Sequence, residues 1–207
     1  MKRIRLGMRL YQSSRTPSII KKLIRLRWDC NGARLERKYR LKSPDNIFHV
    51  PFNDGKLFFD LPDHGDLISR HIIVNKCFFE CEYLESLRNL IINPSCILDV
   101  GANIGNHTLF FMKTWPEARV FSFEPQKDIY NQMRRNLELN KLPTDGCLNV
   151  AIGNATGRGS IVYDGRTEKN IGATRIDYDD EGAFRIITLD NFIWENQTGK
   201  VDFVKID

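Results

Sequence analysis

With 207 residues, 42% of them hydrophobic and 28% charged, the chain has the composition of a globular protein with room for one sizeable core. No run of about 18 apolar residues is present and no apolar core follows the basic start, so neither a transmembrane helix nor a secretory signal is expected. The net charge of +5 is uneven: residues 1–42 carry 14 Lys+Arg against Asp29 and Glu36, a net +12, and the remainder is −7, which argues against nucleic acid as its partner.

Residues 1–15 are charged and aperiodic, and are expected to be loosely ordered. Thr16-Pro17 reads as an N-cap followed by proline at the first helical position. The segment from Ser18 to Trp28 mixes aliphatic and basic residues at roughly helical spacing. One reading is a basic amphipathic helix in weak contact with an anionic membrane or an acidic partner. A helix docked on its own domain is favoured, because a clean two-faced pattern is lacking. Next, Ile47–Phe52 and Lys56–Leu61 flank Asn53-Asp54-Gly55, the pattern of a β-hairpin outside any parallel sheet. Residues 66–76 are ambiguous, with Leu67, Ile68, His71 and Ile72 at helical spacing. Glu80 to Ile92 reads as a helix with Leu84, Leu87 and Ile91 on one face. It follows a Phe78-Phe79 pair that looks exposed. Glu80 either reaches over the site described next or sits as an acid in its helix's first turn.

The five cysteines are Cys30, Cys77, Cys81, Cys96 and Cys147. Their spacing does not repeat, and a lone CxxxC at Cys77 and Cys81 is weak evidence for a ligand set. Free thiols, no metal and a cytoplasmic location are expected.

The central stretch runs from Cys96 to His107. A short apolar strand ends in Asp99, a turn holding Gly101 and Gly105 follows, and Thr108–Met112 reads as an apolar helix face ended by Trp115-Pro116. Arg119–Phe123 is a second strand delivering Glu124-Pro125. Gln126 to Asn140 is a strong helix with Ile129, Met133 and Leu137 spaced by four. Cys147–Ile152 is a third strand. Residues 157–187 form a small β excursion, Thr188 caps a short helix over Leu189–Glu195, and Val201–Asp207 is a fourth buried-type strand. The organisation is a basic segment (1–45), a hairpin and helix (46–95), and a cofactor-binding domain (96–207).

Strand, glycine turn, helix and second strand with a terminal acid outline a nucleotide-type cofactor site. A dinucleotide fingerprint would place glycines where Asn103 and Asn106 stand. Their absence counts against an NAD(P)-dependent oxidoreductase and favours a cofactor without a pyrophosphate.

Asp99-Val100-Gly101-Ala102-Asn103-Ile104-Gly105 resembles motif I of class I S-adenosylmethionine-dependent methyltransferases, in wording close to the FkbM family. Phe123-Glu124-Pro125, the Asn136–Asn140 segment, Ala151-Ile152-Gly153, Thr188-Leu189-Asp190 and Val204–Asp207 follow in that family's order. The resemblance begins near residue 75. It implies a Rossmann-like α/β/α sandwich with a mostly parallel sheet, incomplete at the C-terminus, behind a small N-terminal helix and hairpin. It also implies S-adenosyl-L-methionine as cofactor and O-methylation of a sugar or secondary-metabolite hydroxyl, so a small molecule or glycan as acceptor. Carried over, Gly101, Ala102, Asn103 and Gly105 lie under the methionine portion and Asp99 supports that loop, directly or through water. Glu124 takes the ribose hydroxyls, Pro125 lines the adenine, Ala151 lies near the adenine edge, and Asp207 faces the methyl group as candidate base. His107 is a weaker candidate. The family's sheet continues past the Lys-Ile-Asp strand, so a truncated enzyme with weak or absent catalysis on its own is expected. The alternative is a non-catalytic binding module.

Overall fold

The computed structural model describes residues 45–162 and 175–207, and the helix expected within residues 16–28 lies outside them. The alternating apolar runs pair as foreseen: β1 (Ile47–Phe52) and β2 (Gly55–Asp60) are antiparallel, with Phe52 opposite Gly55. The turn is therefore Asn53-Asp54, and Asn53 rather than Gly55 takes the left-handed conformation, at φ 49°. Asparagine tolerates that region better than most residues. The ambiguous residues form α1 (Leu67–Asn75), started by Asp66, whose carboxylate accepts from the Ser69 amide at 2.9 Å. Helix α2 (Cys81–Leu90) buries Leu84 and Leu87 as expected, but it is shorter at both ends than the periodicity predicts. Phe78 is not exposed. It packs edge-on to Phe52, Phe59 and Phe110 at 5.9, 5.7 and 5.4 Å between ring centroids. A residue in a short connection carries no periodicity, so only the tertiary fold shows what covers it.

The chain continues through β3 (Cys96–Val100), α3 (Asn106–Thr114), β4 (Arg119–Phe123), α4 (Lys127–Leu139) and β5 (Cys147–Leu148). The single third strand expected over 147–152 is broken. β5 pairs with β4, whereas β6 (Ala151–Ile152) joins a second sheet. At the break the Asn149 amide donates to the carbonyls of Glu124 (2.8 Å) and Pro125 (2.9 Å). These side-chain bonds compete with continued ladder pairing. The excursion is β-structured: β7 (Gly157–Val162) lies antiparallel between β8 (Arg175–Tyr178) and β9 (Phe184–Ile187), and β6 runs parallel to β9. Helix α5 (Leu189–Glu195) starts at Thr188, whose hydroxyl accepts from the Asn191 amide, and β10 (Phe203–Ile206) ends the described chain.

The main sheet has the order β10-β3-β4-β5, all parallel. Alternation along β3 sends Ile97 into a core shared with α3 and α4, and Cys96 and Leu98 into one shared with α5. Helices thus cover both faces in a three-layer α/β/α arrangement. Helix α3 is buried from Asn106 to Met112, because the hairpin, α1 and α2 cover the side that the sheet does not. Among the described residues no helix is long and apolar enough to cross a membrane. The chain moves outward from β3 to β5 and then returns on the other side of β3 as β10. The carboxyl ends of β3 and β10 therefore flank the point where strand order reverses, the place where α/β sheets hold ligands.

Candidate functional site

The loop after β3 is made of residues suited to its backbone. Gly101, Asn103 and Gly105 all lie in the left-handed region, at φ 71°, 51° and 82°. The Gly101 and Ala102 amides both donate to the Phe123 carbonyl at 3.0 Å, which ties the loop to the end of β4. Within it, the Asn103 side chain accepts from the Ile104 amide at 2.7 Å. A Cβ on Gly105 would stand 2.9 Å from Met133 Cγ, and one on Gly101 would stand 3.2 Å from Asp207 Cβ. The two glycines are needed for conformation and for close approach alike.

Beneath the loop a polar row crosses three strands. Lys205 pairs in register with Asp99, and Asp99 with Ser122. Asp99 is fully buried and Lys205 only 7% exposed, with 3.2 Å between Asp99 Oδ1 and Lys205 Nζ. Thr108 of α3 donates to Asp99 Oδ2 at 2.6 Å and is bonded to the Ser122 hydroxyl at 2.9 Å. Lys205 Nζ also donates to the Gly101 carbonyl at 3.0 Å and to Asp207 Oδ2 at 3.2 Å. Burial alone pulls the Lys205 pKa down, but Asp99 and Asp207 outweigh it and the net shift is upward. Asp99 thus reaches the loop through Lys205, a link the sequence reading did not assign. A lysine inside a strand of buried type could have signalled a buried acid partner, though not which one, since buried cations need paired acids.

Glu124 follows β4 and is 4% exposed. Its Oε2 accepts from the Asn103 amide at 3.0 Å and its Oε1 from the Gln126 amide at 2.9 Å. Burial pushes its carboxyl above the ordinary value, although both amides and Lys205 oppose that shift. Pro125 beside it is half-buried. Ala151 is 2% exposed and packs with Phe184 and Ile186 of the second sheet, so its methyl group is turned away from solvent. Asp207 stands against Gly101, its side chain 65% exposed. His107 is buried, stacked on Phe111, with Nε2 3.4 Å from the Glu80 carboxylate. That imidazole holds the Glu80 carboxyl below its ordinary value despite partial burial. Glu80 occupies the N-cap of α2 at φ 58°, so it is directed toward the start of α3 and is not an acid of its own helix's first turn.

The donor set fits an adenosyl cofactor. Each Glu124 oxygen accepts one amide and keeps further acceptor capacity, which suits a vicinal diol. The glycine loop, tied to the end of β4, lies above β3 at the reversal point of the sheet. Residues 99–207 match the family model described as the methyltransferase FkbM domain. The chain belongs to the FkbM methyltransferase family. Methyltransferase sdnD of Sordaria araneosa is 36% identical over 76 residues, which cover 37% of this chain and 26% of that protein. Methyltransferase 1 of Beauveria bassiana (strain ARSEF 2860) is 27% identical over 77 residues, covering 37% and 28%. The match spans about a quarter of the length of these curated relatives. The SAM-dependent methyltransferase from Agrobacterium tumefaciens aligns with 49% of this FkbM-family chain and 31% of its own, at 13% identity and a TM-score of 0.34. M. jannaschii TYW2 in complex with AdoMet aligns with 50% and 42%, at 17% identity and a TM-score of 0.33.

Proposed function

We propose that this chain binds S-adenosylmethionine as a methyltransferase acting on a hydroxyl of a small molecule or glycan. The observation that supports the reading best is the Glu124 carboxylate, buried at the end of β4 and bonded to the amide of Asn103 in the glycine loop. When bound, S-adenosylmethionine supplies a methyl group already activated on a sulfonium. The chain's own residues then have to bind and align. Gly101, Ala102, Asn103 and Gly105 form the floor under the methionine portion, held from below by Lys205 on the Gly101 carbonyl. Glu124 accepts from the ribose hydroxyls and fixes the loop in the same act. Pro125, held by Asn149 through its carbonyl, borders the adenine. Ala151 supports that border from the second sheet. Asp207, exposed beside Gly101, takes the proton of the acceptor hydroxyl.

Calorimetry with S-adenosylhomocysteine and with NAD tests this reading. S-adenosylhomocysteine should bind and NAD should not. Hydrogen bonds to a charged group are worth about 1.5–3 kcal/mol each, so Glu124→Ala should weaken S-adenosylhomocysteine at least about tenfold. Unchanged affinity in a variant that still melts cooperatively would remove the ribose assignment, and NAD binding in place of S-adenosylhomocysteine would overturn the whole reading.

A further inference from the structure

The connection between α1 and α2 gathers three side chains that the methyl-transfer reading does not use. His71 lies on α1, Cys77 in the connection, and Cys81 opens α2. One ligand atom from each falls within 4.8 Å of the others, and His71 Nε2 is 3.5 Å from Cys77 Sγ. Both thiols are free, and all three residues are partly exposed, so an ion could reach them from solvent.

The His71–Cys77 spacing is that of two neighbouring ligands on one ion. Zinc binds cysteine sulfur at about 2.3 Å and histidine nitrogen at about 2.0–2.1 Å in tetrahedral geometry, which places neighbouring sulfur and nitrogen ligands about 3.6 Å apart. The observed 3.5 Å matches that edge, and Cys81 Sγ, within 4.8 Å of both atoms, needs only a small movement to join them. Two left-handed residues, the cap positions of α1 and α2, flank the connection. Lys76 at φ 53° and Glu80 at φ 58° are both left-handed without being glycine. Such positions cost of order 1–3 kcal/mol each and persist when their surroundings hold them. The first turns the chain so that Cys77 faces back to His71; the second starts α2 with Cys81 on the same side. Glu80 and Glu82 place negative charge beside the group, acting through space on His71 and Cys77; burial, Cys81 and Glu82 also push the Cys77 thiol up to about 12, so the ion has to displace that proton.

We propose that His71, Cys77 and Cys81 form a zinc site, with the two thiols bound as thiolates and the fourth position open to solvent. Binding displaces one proton from each thiol to solvent. The ion fastens the connection that carries Phe79, whose amide and carbonyl are paired with the Asn106 side chain at 3.0 and 3.1 Å, and Glu80, which meets His107. It therefore braces the start of α3 from outside the cofactor loop. A soft two-thiolate, one-imidazole set selects zinc over hard oxygen-seeking cations such as magnesium. The site does not depend on the methyl-transfer reading.

The test uses residues 1–207, fully reduced and stripped of metal, titrated with Co²⁺ as a spectroscopic stand-in. One equivalent should give the intense visible bands of tetrahedral cobalt with a thiolate-to-cobalt charge-transfer band, and one equivalent of Zn²⁺ should abolish both. Cys77→Ser and Cys81→Ser should each weaken zinc at least tenfold, His71→Gln should do the same while retaining sulfur charge transfer, and Cys30→Ser should change nothing. Zinc X-ray absorption on the unmutated chain gives an answer that does not rely on a variant folding: two sulfurs near 2.3 Å with lighter atoms near 2.0 Å are expected. Weak octahedral cobalt bands, a zinc shell without sulfur, or charge transfer surviving the Cys77→Ser, Cys81→Ser pair would overturn the proposal.

Discussion

Gly101 and Gly105 have the same left-handed backbone, yet their surroundings give them different sensitivity. Alanine at either costs about 1–2 kcal/mol for conformation alone. At Gly105 the new Cβ would also stand 2.9 Å from Cγ of the fully buried Met133. At Gly101 the nearest atom is Asp207 Cβ, 3.2 Å away, a contact that a shift of a few tenths of an ångström relieves. Urea unfolding should therefore show Gly105→Ala destabilised by more than Gly101→Ala, by about 1 kcal/mol or more, since overpacking a core costs about 1–3 kcal/mol. Equal midpoints would show that Met133 yields freely. The glycines were legible in the sequence because a positive φ needs no knowledge of a partner. The pairing of Asp99 with Lys205 was not, because it depends on the register of two strands over a hundred residues apart in sequence.

Helix α4 joins the hairpin to the cofactor loop, and it does so with amides. Its apolar row of Ile129, Met133 and Leu137 followed from spacing, and Met133 and Leu137 are fully buried. A second row, Gln132, Asn136 and Asn140, also repeats every four residues and faces β2. Asn140 exchanges hydrogen bonds with the Phe58 amide and carbonyl at 2.8 and 2.7 Å, as a neighbouring strand would. Asn136 accepts from the Asp60 amide and donates to the Ile104 carbonyl, both at 2.8 Å, so one buried side chain spans hairpin and loop. Gln132 donates to the Asp60 carbonyl at 2.6 Å. The sequence assigns this row no contact, since nothing local says that an unpaired strand edge lies opposite. Asn136→Ala leaves two backbone groups without partners. At about 1–3 kcal/mol for each buried orphan, the loss should be about 2–6 kcal/mol by urea unfolding, with faster hydrogen exchange at the Asp60 amide. A loss below 1 kcal/mol with unchanged exchange would mean that the hairpin is held by its apolar contacts alone.

At the scale of the molecule, helices on both faces of a parallel sheet were foreseeable from the alternation of strand and helix patterns. The division between the main and the second sheet was not, because it rests on Asn149 bonding to Glu124 and Pro125. The returning strand β10 closes the candidate site, and ionised groups anchor both its ends. At its start Asp202 accepts from the Ser95 amide and hydroxyl, each at 2.7 Å, and lies 2.6 Å from Lys200. Lys200, the Ser95 hydroxyl and the Ser95 amide hold the Asp202 carboxyl well below its usual range. At its end Lys205 is raised above 10.5, the two acids beside it overcoming its burial. The signs then differ between the two ends. A depressed carboxyl stabilises the fold above its unfolded value and loses that contribution as pH falls below about 3.8. A raised ammonium stabilises the fold below its unfolded value and loses that contribution as pH climbs past 10.5 through the folded value. Asp202→Asn should therefore be less stable than the unmutated chain at neutral pH, with the gap closing on the acid side. Lys205→Met leaves Asp99 buried without its cation, which costs about 3–5 kcal/mol at neutral pH. Its gap should persist through acid pH down to the range where carboxylates protonate, and close on the alkaline side. Denaturant midpoints for the three proteins from pH 3 to 11 give the two differences directly, and a gap that stayed constant with pH in either variant would show that its end of β10 is held by packing and not by charge.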